Sequence, residues 1–207
     1  MRSSYPVRLL KSDGNWIDGE LFEGISETNL IHFEQLWKPQ LDEMRREAIE
    51  RRARGEKCYD GADAHWNWRK FVELTTGDLS VRQFTIEADG ETQGLMLVST
   101  IYRSRIEPGQ HLLYVDRVAA APWNRKSKKA PQRFRPIGSL LIRHAIGTSL
   151  AEGFSGRVGL HSLPGSTGFY CDRLAMKSFG PDPHHQNLEY FELSVAQAQE
   201  EIKKSSK

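Results

Sequence analysis

Cysteine is nearly missing from this sequence. Two residues, Cys58 and Cys171, stand far apart in a chain of 207. One distant pair is no disulfide framework, so reduced thiols in a cytoplasm are the expectation. Also lacking is any apolar run near the length of a bilayer span, and with it a membrane partner. Arg2 is followed too soon by Lys11 and Asp13 for a signal-peptide core. Neither sign of charge prevails: 29 Lys and Arg against 27 Asp and Glu leave +2, without the global polycationic signature of a nucleic-acid binder. There is no internal repeat and no low-complexity block. What is present, 38% hydrophobic residues including five tryptophans, suffices for the core of a single domain spanning 1–207.

The chain is organised around residues 112–151. Residues 112–121 read as a strand, a loop rich in Arg and Lys follows, and Pro136-Ile137-Gly138-Ser139 opens a helix. Pro136 has a φ suited to a first helical turn, and Leu140, Leu141, His144, Ala145 and Thr148 recur at helical spacing. Unpaired N–H groups and a positive dipole end among loop cations make an anion site, most naturally for a phosphate or pyrophosphate. An ordinary strand–loop–helix connection carrying a solvated charge run is the competing reading.

Before this stretch, 7–10 is a candidate first strand and 12–19 has a loop composition. Leu30, Phe33, Trp37, Leu41, Met44 and Ala48 step by three or four, the stripe of an amphipathic helix. Pro39 predicts a kink, or a second helix with Pro39 near its first turn, and Gly55 is a natural stop. The arginines and glutamates of 43–54 fit a solvated face of i,i+4 pairs better than a basic docking surface. Trp66 and Trp68 fit the core better than a substrate pocket. Asp89-Gly90 between 81–86 and 95–100 is a hairpin signal, with Gly94 marking a bulge. Past the central helix, 157–162 reads as a strand and Ser166 as the cap of a short helix carrying Phe169 and Tyr170. Residues 180–183 read as an irregular loop and Leu188–Leu193 as a last strand. The polar tail 195–207 is expected to fray at its end.

This order of hairpin, strand, anion loop, helix, strand, Phe-Tyr helix and strand resembles the GNAT superfamily of N-acetyltransferases over roughly 81–193. The family's pyrophosphate motif, Gln or Arg, two residues, Gly, one residue, then Gly or Ala, maps onto residues 133–138. Arg133 and Gly138 match; Pro136 stands at the first Gly and brings no N–H. The second match is Phe169-Tyr170 followed by Leu174-Ala175-Met176, with Ala175 where Gly is common. The resemblance implies an α/β (α+β) fold with a mixed twisted sheet flanked by helices, 81–193 as acetyl-CoA-binding core and 30–70 as acceptor-side helices. It implies acetyl-CoA as co-substrate, lying in a splay between the 112–121 and 157–162 strands. Val118, Ala119 and Ala120 would hold the thioester carbonyl and pantetheine arm; Arg125, Arg133, Arg135, Pro136, Ile137, Gly138 and Ser139 would hold the pyrophosphate.

In such a site Tyr170 is expected to protonate the departing thiolate, its phenol being uncharged at pH 7. Packing in the core is its other reading. Asp116 is the expected base, standing where relatives often carry Glu; a structural pair with a neighbouring Arg competes. His111 and His161 lie near strand ends, where a lone His is more often structural. His184-His185 lacks further ligands nearby and the cysteines lack metal-ligand spacing, so no metal is expected. Cys171 has no local His or Asp partner to make it a nucleophile. The expected acceptor bears an amine, as a small molecule, a peptide or an aminoacyl group, and a homodimer is left open. The alternative function is a GNAT-shaped binding module without turnover. It would hold RNA or an acidic partner through Arg125, Lys126, Lys128, Lys129, Arg133 and Arg135.

Overall fold

The computed structural model describes residues 2–126 and 130–205. Ser127, Lys128 and Lys129 of the basic loop between 121 and Pro136 lie outside the described residues, as do 1, 206 and 207. The residues group into two compact units, Met1–Leu97 with Arg117–Leu141, and Val98–Asp116 with Ile142–Lys207.

The first unit opens on a hairpin of β1 (Ser4–Lys11) and β2 (Trp16–Glu23), registered from Leu10 opposite Trp16 to Ser4 opposite Phe22. The second half of the expected 12–19 loop, 16–19, is therefore strand. Only the turn is irregular, closed by the Lys11 N–H on the Asn15 carbonyl at 2.8 Å. Pairing overrides the polar composition, because Leu9 and Leu21 still turn one buried side to the core.

Helix α1 (Glu27–His32) begins at a Ser26 cap and runs through a π-helical turn, Phe33–Trp37, into α2 (Lys38–Ala53). Pro39 sits in the first turn of α2. It has no N–H and its ring would press on the carbonyl four residues back. The chain widens just before it, and the Lys38 N–H reaches back to the Phe33 carbonyl. Of the two expected outcomes, the second helix is found. Leu30, Phe33, Trp37, Leu41 and Ala48 are buried, and Gly55 follows the helix end at φ 82°. Asn67 caps α3 (Trp68–Thr75) through the Lys70 N–H at 2.9 Å. Trp66 and Trp68 are both buried, as the core reading requires, with Trp68 edge-on to Phe33 and Phe71.

Strands β3 (Val81–Ala88) and β4 (Glu91–Ser99) flank Asp89 and Gly90, both at positive φ, as a two-residue primed turn demands. Then come β5 (Leu113–Ala120), a two-residue β6 (Phe134–Arg135) paired with β1, and α4 (Ile137–Ala151). Gly94, expected to mark a bulge, lies within β4 beneath the first turn of α4. A Cβ there would stand 2.8 Å from Ile137 Cγ2 and 3.0 Å from Leu141 Cδ1.

The second unit carries β7 (Val158–Ser162), β8 (Lys177–Asp182), β9 (Leu188–Leu193) and α5 (Val195–Ser205). Phe169–Arg173 is a π-helical turn rather than an ordinary short helix. Residues 180–182, expected as irregular loop, finish β8, which reaches β9 through a register shift between Ser178 and Pro181. A proline is tolerated there because an edge strand has no ladder bond to lose on its outer side. The polar tail forms α5, and the end at which fraying is expected lies outside the described residues. Ser194 and Gln197 form a reciprocal cap, Gln197 N–H to Ser194 Oγ at 3.3 Å and Ser194 N–H to Gln197 Oε1 at 2.8 Å. Ala198 and Glu201 are buried. Among the described residues nine strands form one mixed sheet in the order β6-β1-β2-β3-β4-β5-β7-β9-β8, with β5 and β7 parallel. Among the described residues no helix is long and apolar enough to cross a membrane.

Gly94→Val tests the seating of α4 on β4. The added carbons must displace the ends of Ile137 and Leu141, so a loss of about 1–3 kcal/mol in denaturant unfolding is expected.

Candidate active site

In the first unit, the segment leading from β5 to α4 is fastened by one buried amide. Gln93 Oε1 accepts the Trp123 indole N–H at 2.9 Å and the Asn124 Nδ2–H at 2.9 Å. The Gln93 Nε2–H donates to the Ala88 carbonyl at 3.0 Å. Asn124 Oδ1 in turn accepts the Phe134 N–H at 2.9 Å, closing the loop two residues before Pro136. Gln93 and Asn124 are both buried, where each unmade hydrogen bond would carry a desolvation penalty.

Two expected cofactor cations are engaged by carboxylates in this unit. Arg125 forms a fork on Asp63, at 2.7 and 2.6 Å, and its Nε–H reaches the Ala120 carbonyl at 2.9 Å. Burial pushes the Asp63 carboxyl up, but the Arg125 guanidinium outweighs it and holds the group below the usual range. Arg133 bridges Glu91 at 2.5 Å and Asp89 at 2.8 Å. Arg135 is exposed, and among the described residues it has no ion-pair partner. Beside Arg133 lies a pocket of about 360 Å³ lined by Gln35, Leu36, Pro39, Gln40, Glu91 and Trp123.

Val118, Ala119 and Ala120 end β5, with Ala119 buried. The Pro136 carbonyl accepts the Leu140 N–H at 3.0 Å, so Pro136 caps α4 instead of entering its first turn. Ile137 and Gly138 then supply the first helical N–H groups, which have no acceptor within a helix, and the buried Ser139 follows them in the first turn. The proline at the motif's first glycine thus falls on the cap.

Asp116 and Tyr170 belong to the second unit. There, β5 and β7 pair from Leu113 opposite Val158 to Val115 opposite Leu160, and pairing stops. Both strands run on, β7 to Ser162. Asp116, the first β5 residue past the last pair, accepts the Ser99 hydroxyl at 2.5 Å. The π-helical turn holds Tyr170 buried, its ring 5.1 Å from Phe169 and 5.7 Å from Phe191. Burial pushes the phenol well above its ordinary range, so it is protonated at neutral pH.

Two other expectations meet different surroundings. His111 stacks on Phe154 at 5.4 Å, a packing role. His185, read as lacking further ligands, gathers with His161 and Asp182, their ligand atoms within 4.8 Å of one another. Spacing in sequence could not show it, since β7 and β8 bring these residues together through β9.

No family model and no curated protein matches the sequence. Solved structures do match the fold. A GNAT-family acetyltransferase from Desulfovibrio desulfuricans aligns at a TM-score of 0.50 over 86% of this chain and 99% of that one, with 9% identity. A spermidine N-acetyltransferase from Vibrio cholerae, solved with CoA and spermine, aligns at 0.50 over 86% and 98%, with 14% identity. The chain has the GNAT fold.

Arg125→Met tests the fork on Asp63. An unpaired buried carboxylate should remove about 3–5 kcal/mol of stability at neutral pH. Because the pair lowers the Asp63 pKa, the wild-type advantage is full above the ordinary carboxylate pKa. It should vanish as pH falls through the lowered one, which a series of melts against pH will show.

Proposed function

We propose that this protein is an N-acetyltransferase that moves an acetyl group from acetyl-CoA to an amine by direct transfer in a ternary complex. The observation that carries the reading is Tyr170: a buried phenol on the π-helical turn, held protonated at neutral pH. A departing thiolate needs such a donor. The GNAT fold supports the same reading.

In this proposal the N–H groups of Ile137, Gly138 and Ser139, with the α4 dipole and Arg135, hold the pyrophosphate. Backbone groups of Val118, Ala119 and Ala120 hold the pantetheine arm and the thioester carbonyl. Arg133 stands by as a second cation whose carboxylates would have to share it. Arg125 serves by fixing the segment through Asp63. The amine nitrogen attacks the carbonyl carbon, the C–S bond breaks, and Tyr170 gives its proton to sulfur. Asp116 is one candidate for the base. Engagement of Arg125 and Arg133 by acidic side chains disfavours the alternative of an RNA- or acid-binding module.

Calorimetry with acetyl-CoA tests the binding half. At a hundredfold excess over Kd, linkage should add about 2.7 kcal/mol of stability, and Gly138→Glu should abolish it. No binding by the wild type would end the transferase reading. For the chemical half, Tyr170→Phe keeps the ring and loses one oxygen. It should lower kcat about 10²-fold and leave KM for acetyl-CoA unchanged. Undiminished kcat would make Tyr170 a packing residue.

A further inference from the structure

The second unit contains a chain of hydrogen-bonded titratable groups that the proposed function leaves unused. His161, on β7, has a side chain only 5% exposed. Its Nε2 lies 3.2 Å from Asp182 Oδ2 and its Nδ1 2.6 Å from the Tyr114 hydroxyl. Asp182 Oδ2 also accepts from the Arg105 guanidinium, while Oδ1 accepts the His184 N–H at 3.0 Å. The hydrogen bond from Arg105 holds the Asp182 carboxyl well below the usual range, so it is ionised.

An ionised carboxylate can only accept. Nε2 of His161 must therefore carry the hydrogen, and Nδ1 presents a bare lone pair to Tyr114. Burial holds the His161 imidazole below its ordinary pKa, against the pull of Asp182, so the ring is neutral at pH 7. The other groups facing it are His185, Arg105, and Tyr190 on β9, whose ring lies 4.9 Å away and whose hydroxyl donates to the buried Glu192 at 3.1 Å.

A metal cage is the competing use of His161, Asp182 and His185, and the ring geometry opposes it. The two imidazoles are stacked, 3.9 Å between centroids and 13° between planes. Their lone pairs lie in near-parallel planes and cannot converge on one ion about 2.0–2.1 Å from each nitrogen. Arg105 already places a cation on the shared carboxylate. The cluster is built to orient N–H groups toward Asp182.

Position points to a use. Val115 opposite Leu160 is the last β5–β7 pair, and Tyr114 and His161 stand directly beside it, one on each strand. Tyr114 also shares a face of β5 with Asp116, by the alternation of a strand. We propose that Tyr114, backed by His161 and Asp182, takes the proton that the acceptor amine must lose. The proposal rests on the transferase reading above and supplies its base. As nitrogen bonds to the acetyl carbon and the C–S electron pair leaves on sulfur, the nitrogen's surplus proton passes to the Tyr114 oxygen. Tyr114's own proton moves to His161 Nδ1, and Asp182 holds the resulting imidazolium. Sulfur takes its proton from Tyr170. Afterwards His161 releases one proton to water and Tyr170 recovers one from water, so both return to their starting states. Tyr114 is the group that would touch the acceptor; His161 and Asp182 act through it as positioning residues.

The test measures CoA release from acetyl-CoA with spermidine and with hydroxylamine as acceptors, across pH, alongside ¹⁵N-histidine spectra. The wild type should lose kcat toward acid pH as His161 becomes protonated, and its spectrum should show the Nε2–H tautomer. His161→Gln and Tyr114→Phe should each lower kcat about 10²–10⁴-fold with KM for acetyl-CoA unchanged, and His161→Gln should erase the acid limb. Tyr114→Phe keeps the ring that stacks 4.2 Å from Tyr102, so its melting temperature separates misfolding from lost chemistry. Asp182→Asn should shift the tautomer and lower kcat. Wild-type kcat with the same acid limb in both variants would overturn the relay and leave the transferase standing. An Nδ1–H tautomer would overturn it whether or not either amine is turned over. A wild type that binds no acetyl-CoA would bring down the transferase reading, and the relay with it.

Discussion

The side-chain amide of Gln93 is the constraint on which the proposed cofactor site depends. Its oxygen takes two N–H donors, from Trp123 and Asn124, and its nitrogen returns a hydrogen to the Ala88 carbonyl. A buried amide satisfied in this way has few other arrangements open to it. Asn124 passes the constraint on to Phe134, and Phe134 is part of the two-residue strand paired with β1. Two residues later α4 begins, over the gap that Gly94 leaves in β4. A segment of basic composition thus becomes a fixed approach to a helix start.

Charge follows the same logic. The run of Arg and Lys between β5 and α4 suggests a free cationic surface, yet Arg125 and Arg133 face Asp63, Asp89 and Glu91 within one unit. The cations help to hold the segment in place. At the helix start stand the N–H groups of Ile137 and Gly138, which helix geometry gives no acceptor within the helix, with the exposed Arg135 just before them. In the second unit the pattern is reversed: Asp182 collects N–H donors from Arg105, His161 and His184, and that arrangement fixes which nitrogen of His161 is bare.

Much of the framework was legible in the sequence because its signals are local. Asp89-Gly90 required the primed turn it makes, the stripe from Leu30 to Ala48 is buried except for the half-buried Met44, and Leu188–Leu193 forms a strand. Strand β2 was hidden because Asp18, Gly19 and Glu20 look like loop until β1 pairs with them. Pro181 disguised β8, being tolerable only on an edge. The α5 helix had a readable sign, Ser194 three residues before Gln197. The Tyr114–His161–Asp182 chain had none. Its members are 47 and 21 residues apart, and only the β5–β7–β9–β8 order joins them. The roles of Tyr170 and Asp116 came from the resemblance to the GNAT family; the burial of Tyr170 against Phe191 could be seen only once the chain was folded.

The most direct measurement of the central claim is the change in backbone amide resonances of the ¹⁵N-labelled protein on adding acetyl-CoA. The account predicts the largest shifts at Ile137, Gly138 and Ser139 and along Val118, Ala119 and Ala120, with a downfield movement at the helix start where N–H groups meet phosphate oxygens. Saturating acetyl-CoA that leaves these six amides unmoved, or that shifts a different surface, would contradict it.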